Sequence, residues 1–202
     1  MGIYAIKPWF RGRLQGITDL LVRRGRTPDQ VTAAGLVASA LGSVALWAGD
    51  GRPLLWLAVP LCAFVRIAAN ALDGLVAQQA GLARPAGELF NETADRLGDA
   101  AFLGGVATVA GVEPGLALGA LAAAAVASFV GITARAAGGT RRYNGPMGKP
   151  DRMAVVSIAA MVAAFVDRPD RVFEIACAVI LVGAALTAAN RYRRAYRELE
   201  GT

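Results

Sequence analysis

Long apolar runs alternate with short polar breaks along this chain. Six runs stand out, over 31–49, 54–78, 87–111, 114–137, 152–167 and 171–191. Each is near the roughly 17–25 residues that a helix needs to cross a bilayer. The fifth is the shortest and draws a further helical turn from the loop before it. The breaks near Gly49–Pro53, Gly111–Pro114 and Asp167–Asp170 read as turns. Opposite them lie a short loop over 79–86 and a longer one over 138–151. Ahead of the first run, Phe10, Leu14, Ile17, Leu20 and Leu21 recur at helical spacing among Arg11, Arg13, Arg23 and Arg24. That pattern predicts an amphipathic helix over 8–26 lying in the membrane interface. The whole reads as an all-α integral membrane protein, an interfacial helix followed by six transmembrane helices over 27–202. No long linker interrupts it, so 1–202 is expected to be one domain. Gly115, Gly119 and Ala123, and likewise Gly35, Ser39 and Ser43, form stripes of small residues predicted to let helices approach closely.

Composition supports the membrane reading. Hydrophobic residues make up 55% of the 202 positions, and the 24 glycines raise the apolar share further. Charged residues are 18%, against about 25% in soluble domains, too few to cover a folded surface of this size. A soluble enzyme, a disordered tail and a secreted disulfide scaffold are excluded together. The two cysteines, Cys62 and Cys177, fall inside apolar runs and read as small hydrophobes. The formal charge is +6, and its distribution matters more than its size. The loops at 79–86 and 138–151 and both ends of the chain share the cations, while Arg52, Arg168 and Arg171 alone fall on the other side. By the positive-inside rule both termini face the cytoplasm. Topology accounts for the basic balance without a nucleic-acid partner.

The polar residues inside the second and third runs are the candidates for chemistry. Between 70 and 99 lie Asn70, Asp73, Glu88, Asn91, Glu92, Asp95, Arg96 and Asp99. A charge at the bilayer centre costs about 2.5–3.5 kcal/mol even on insertion scales, so such a set needs partners, water or a cation. Asn70 and Asp73 are three apart, and Gly87, Asn91 and Asp95 are four apart, so each set lies on one helix face. The short loop between them makes the two helices neighbours. Clustered hard oxygen ligands of this kind suit Mg2+ or Mn2+. Gly74, Ala77 and Gly87 leave room beside them for a ligand or another backbone. Arg66 and Asp99 lie at similar depths and are expected to form a structural salt bridge.

These residues resemble the signature of the CDP-alcohol phosphotransferases, D-x2-D-G-x2-A-R-x8-G-x3-D-x3-D. The chain reads Asn70-x2-Asp73-Gly74-x2-Ala77-Gln78-x8-Gly87-x3-Asn91-x3-Asp95, with every spacing kept and five of eight identities matched. Asn70, Gln78 and Asn91 depart. Pro28-Asp29-Gln30-Val31-Thr32 with Gly35 is similar to the family's Pro-Asn-x2-Thr segment. Lys149-Pro150-Asp151-Arg152 is similar to the Arg-Pro-Glu-Arg stretch of its bacterial phosphatidylinositol-phosphate synthases.

The resemblance implies a reaction: a hydroxyl attacks the phosphate beside the alcohol of a CDP-alcohol, and CMP leaves. It implies divalent ions, Mg2+ or Mn2+, bridging the motif carboxylates and the pyrophosphate. Asp95 is then the catalytic base. Asp73, Asp95, Asn70 and Asn91 are then metal ligands. Separately, Glu88, Glu92, Asp95 and Asp99 fall on one arc of the helical wheel, which predicts Glu92 as a compensating charge at the site. Asp29, Thr32, Gly74, Ala77, Gln78 and Gly87 are expected around the nucleotide. Arg141, Arg142, Lys149 and Arg152 are expected around a phosphate on the acceptor. The expected partners are CDP-diacylglycerol or another CDP-alcohol, a polar alcohol acceptor, the lipid bilayer and a second copy of the chain. The expected location is the inner (cytoplasmic) membrane, with the active site on the cytoplasmic face. Two alternatives stay open: the same fold using a soluble CDP-alcohol with a lipid acceptor, or a non-catalytic relative that binds CDP-lipid or scaffolds a partner.

Overall fold

The computed structural model describes residues 7–201, with side chains from position 14 to 201. Phe10, and the cations Lys7, Arg11 and Arg13, therefore lie outside the residues whose side chains are described. Seven α-helices and no strand occur among the described residues: α1 Lys7–Arg23, α2 Pro28–Ala48, α3 Ala58–Gln79, α4 Pro85–Val106, α5 Pro114–Ala136, α6 Lys149–Ala163 and α7 Pro169–Leu199. A 3-10 turn, Pro53–Leu57, leads into α3.

Local sequence explains most of the boundaries. Proline stands in the first turn of α2, α4, α5, α6 and α7, where its fixed φ fits and its missing N–H leaves no bond unmade. Thr27 and Gln30 form a reciprocal capping box at α2. Glu113 caps α5 through the Gly115 N–H. Gly25 and Gly81, at φ +66° each, carry the chain out of α1 and α3 in the left-handed conformation that glycine adopts freely.

Four segments are long and apolar enough to cross a membrane: Pro28–Ala48, Pro53–Gln79, Pro114–Ala136 and Pro169–Leu199. The expected third and fifth spans are helices of a different character. α4 has 22 residues but carries Glu88, Glu92, Asp95, Arg96 and Asp99. α6 has 15 residues, short of the ~20 of a typical span. Two predicted ends also move. α4 stops at Val106, because the next residues close into turns and the Asp50 carboxylate accepts from the Ala110 N–H at 2.9 Å. α7 continues past 191 through a charged turn to Leu199.

The helices pack as a bundle in which α2 lies on α3 and α4, α5 on α7, and α6 bridges α3 and α7. Close approach rests on small residues. A Cβ on Gly42 would come within 2.6 Å of the Phe102 ring, and one on Gly105 within 3.0 Å of the Ser43 backbone. The tight face of α5 is Ala117, Ala120, Ala124 and Ala127, all fully buried. The expected Gly115–Gly119–Ala123 stripe lies beside it: Gly115 is exposed, and the nearest atom to a Cβ on Gly119 is 3.9 Å away. One end of the bundle is apolar, with Leu46, Trp56, Phe102, Phe173 and Ile180 buried together. Trp56 donates to the Leu46 carbonyl at 3.0 Å and packs edge-on against Phe173. Val37, Leu41 and Val44 on α2, Phe129 on α5 and Ile175 and Val182 on α7 stay exposed, an outward apolar belt suited to lipid. On α1, Leu14 and Leu21 pack against Val31 and Leu72, while Ile17 and Leu20 remain exposed.

Candidate active site

The polar end of the bundle holds a cavity of about 700 Å³ between α2, α3, α4 and the start of α6. The spacing that puts Asn70 and Asp73 on one face of α3, and Asn91 and Asp95 on one face of α4, turns both faces into this cavity. Asp29, Thr32, Gly74, Ala77, Gly87, Glu92, Arg141 and Lys149 also line it. Gln78, Arg142 and Arg152 do not. Gln78 is exposed on the outside of α3. Arg142 pairs with Glu198, and Arg152 is buried against Asp99 at 2.6 Å.

Asp73 and Asp95 are both almost fully buried, at 3% and 2% exposure. Oδ2 of Asp73 accepts from the Thr32 hydroxyl at 2.8 Å and from the Asn91 amide at 2.6 Å, and its Oδ1 accepts from the Gly74 N–H. Oδ1 of Asp95 accepts from Arg66 at 2.5 Å and from the Asn70 amide, while Lys149 sits against Oδ2. Arg66 thus pairs with Asp95, not with Asp99 as its depth suggested, and Asp99 takes Arg152 instead. The reason is helical phase: Arg66 and Asn70 share a face of α3 that meets Asp95, and Asp99 lies one turn further along α4, facing α6.

Glycines make room for that pairing. A Cβ on Gly98 would lie 3.0 Å from Arg66 Nε, and one on Gly35 3.2 Å from its NH1. A Cβ on Gly74 would meet nothing within 4 Å, so the backbone there is open to a ligand. At the mouth, Arg84 pairs with Asp29 and both line the cavity, placing a guanidinium at a site that Gln78 does not line.

Glu92 is held by Arg141 and lies 3.9 Å from Arg96. Arg141 also reaches Glu88 at 3.0 Å and stacks 4.7 Å over the Tyr143 ring. Burial works against the Arg141 charge, but the Glu92 hydrogen bond and attraction outweigh it and raise its pKa. Burial likewise pushes the Tyr143 phenol up. Behind this loop lies a smaller pocket lined by Arg96, Arg141, Arg142, Lys149, Arg152 and Arg191 against the single carboxylate of Glu92. The Nε atoms of Arg96, Arg142 and Arg152 are buried without a hydrogen-bond partner, a donor-rich setting for an anion. Arg191 ties the loop to α5 by donating to the carbonyls of Ala127, Tyr143 and Asn144. Neither Arg66 on Asp95 nor the contribution of Arg191 follows from the motif; an arginine inside an apolar run was the one visible signal.

Among the described residues no group of three or more His, Cys, Asp or Glu is placed to hold a metal ion. The donor set at the motif is two carboxylates, Asp73 and Asp95, plus the amides of Asn70 and Asn91. Either end of each amide can be turned inward. Such an all-oxygen set fits a hard divalent ion.

No protein-family model matches the chain. Over 193 residues it is 28% identical to the inner membrane protein YnbA of Escherichia coli, with 96% of each protein covered. Over 149 residues it is 34% identical to the phosphatidylinositol phosphate synthase of Mycolicibacterium smegmatis, covering 71% of this chain and 65% of the synthase, just under two thirds of its length. Among solved structures, the phosphatidylinositol phosphate synthase of Mycobacterium tuberculosis with CDP-DAG bound superposes with a TM-score of 0.74 at 25% identity, covering 90% of this chain and 92% of that one. The same enzyme with manganese and citrate gives 0.74, with 90% and 88% covered. Shared spacing of the motif, its placement around one cavity and these likenesses lead to one conclusion: the chain is homologous to the phosphatidylinositol phosphate synthases of the CDP-alcohol phosphatidyltransferase family and shares their fold.

Proposed function

We propose that this protein is a membrane phosphotransferase that moves the phosphatidyl group of CDP-diacylglycerol onto the hydroxyl of a polar alcohol, releasing CMP, in phospholipid biosynthesis. The observation that carries the reading is the convergence of Asp73, Asp95 and the open Gly74 backbone on one cavity. The cavity is polar at its floor and apolar along Phe64, Ile67 and Leu82, as a diphosphate with acyl chains requires.

In the proposed reaction the acceptor oxygen bonds to the phosphorus next to diacylglycerol, and the bond from that phosphorus to the CMP oxygen breaks. Asp95 takes the hydroxyl proton. A divalent ion, Mg2+ or Mn2+, would be held chiefly by Asp73 and the Asn91 amide, with the Asn70 amide and Asp95 completing the donor set, and would neutralise diphosphate charge. Thr32, Gly74, Ala77 and Gly87 shape the nucleotide side, with Asp29 at the mouth. Arg84 is better placed than Gln78 to meet a phosphate. Arg141 and Lys149 face the acceptor, and the cations behind them, Arg142 and Arg152, add positive potential that favours a phosphorylated alcohol, although the space between them, about 20 Å³, has room for a water and not for the phosphate itself. Glu92 acts as the bracket that orients Arg141, a role its contacts support better than metal ligation.

The proposal extends to one domain over 1–202 with six spans, counting α4 and α6, and α1 in the interface. Both termini and the cavity mouth face the cytoplasm, in the inner membrane, and the protein is a homodimer. The distribution of cations supports the orientation, and the family resemblance supports the dimer. A second reading, a non-catalytic CDP-lipid binder, is favoured by the amides at two motif positions.

The test is CMP release by the purified protein in nanodiscs, given CDP-diacylglycerol, Mg2+ or Mn2+ and pooled acceptor alcohols. Release with a new phospholipid whose mass names the acceptor supports the first reading. CDP-lipid bound without release supports the second. A product carrying the head group of a soluble CDP-alcohol on a lipid acceptor would exchange donor and acceptor.

A further inference from the structure

The two buried carboxylates differ in what already neutralises them. Every hydrogen-bond partner of Asp73 is neutral, a hydroxyl, an amide and a backbone N–H, and the nearby cations Arg66 and Lys149 act on it only through space. Asp95 has two cations of the chain itself in contact, the Arg66 guanidinium and the Lys149 ammonium, while Arg96, 3.8 Å from its Oδ2, is shared with the Glu92 carboxylate at 3.9 Å. Arg66 is built into that position, because the gaps left by Gly35 and Gly98 are what allow its side chain to pass between helices. Lys149 opens α6 directly before Pro150, at the cavity wall. The motif centre is therefore charge-balanced before any ion arrives. One divalent ion would then match the two charges of a bound diphosphate. A second would leave a surplus of two positive charges in a largely buried site, which is costly in a low-dielectric setting.

We propose that this centre takes a single divalent ion, on its Asp73 side, and that Lys149 and Arg66 supply at Asp95 the positive charge of a second. The inference rests on reading the cavity as a CDP-lipid site, and it goes beyond that reading by assigning the number of ions and a new role to two side chains. It also accounts for the amides: an Asn70 carboxylate facing Asp95, or an Asn91 carboxylate facing Asp73, would demand the further ion that this site lacks.

The test is a Mn2+ titration of the full chain in nanodiscs of neutral lipid, with CDP-diacylglycerol present. Free Mn2+ is read by its paramagnetic resonance signal, and empty nanodiscs serve as the blank. The expected result is one ion per chain, and two in the Asn70→Asp/Asn91→Asp/Lys149→Met variant. Lys149→Met alone keeps all four oxygen donors and is expected to tighten Mn2+ binding about tenfold by removing a competing like charge. Two ions bound by the unmodified chain would overturn the proposal, as would none at millimolar Mn2+, or an affinity unmoved in Lys149→Met. The counting needs no turnover. One ion without CMP release leaves this inference standing and removes the catalytic reading, and two ions with CMP release does the reverse.

Discussion

Asp73 and Asp95 face one cavity from neighbouring helices and are equally buried, yet they are held by opposite means. Around Asp73 the partners are neutral donors from α2, α4 and its own turn. Such donors can be exchanged for ligand atoms at little electrostatic cost. Around Asp95, beside the Asn70 amide, the partners are cations from α3 and α6, with Arg96 of α4 at 3.8 Å, which leave a buried charge behind if the carboxylate is lost. In the proposed reaction this contrast would divide the labour, with the Asp73 half holding the nucleotide side of the ligand and the Asp95 half electrostatically committed to the reacting centre.

The largest break in this comparison comes from Asp95→Asn. It removes the proposed base, so CMP release should fall by about 10²–10⁴-fold. It also strands Arg66 and Lys149, and should lower stability by about 3–5 kcal/mol; a CMP assay and a denaturation curve measure the two effects. Asp73→Asn breaks no direct ion pair, and its stability loss should be only about 1–3 kcal/mol. Its main effect should be weaker CDP-lipid binding, on the order of tenfold, read as a raised KM. Equal destabilisation by the two variants would erase the distinction.

Gly98→Ala sharpens the comparison by acting on Asp95 through Arg66 alone. The new methyl would press on Arg66 Nε at 3.0 Å and Ser39 Oγ at 3.2 Å, at a cost of about 1–3 kcal/mol. CMP release should fall with it. Gly119→Ala, whose nearest neighbour is 3.9 Å away, should change stability by less than about 0.5 kcal/mol. The smallest functional effect is expected for Glu92→Gln. With Glu92 bracketing Arg141, the variant should raise KM for the acceptor a few-fold and leave the Mn2+ dependence unchanged. A shifted metal dependence would reinstate Glu92 as a ligand.

How far these features can be read from the chain depends on whether they are local. Helix starts follow from prolines and the Thr27 cap, and the motif spacing places Asn70, Asp73, Asn91 and Asp95 on facing surfaces. The end of α4 escapes such reading because it is fixed by Asp50, 60 residues away in sequence from the Ala110 N–H it binds. The extension of α7 escapes because the side chains of Arg191 and Glu198 are polar yet have tertiary partners on the 127–144 segment, and the Arg194 carbonyl accepts from Arg142. Periodicity gives relative phase within a helix, not its rotation against a neighbour. That is why depth alone matches Arg66 with Asp99, although the bundle turns it to Asp95. The same limit conceals Lys149, which reaches Asp95 from the far side of a loop.

The most direct measurement follows CDP-diacylglycerol binding and CMP release on the same preparation of Asp95→Asn, beside the unmodified protein. Binding retained within a few-fold while release is lost would confirm that Asp95 serves the chemistry and Asp73 the ligand. Release that survives the substitution, or binding and release lost together in a variant that remains folded, would contradict it.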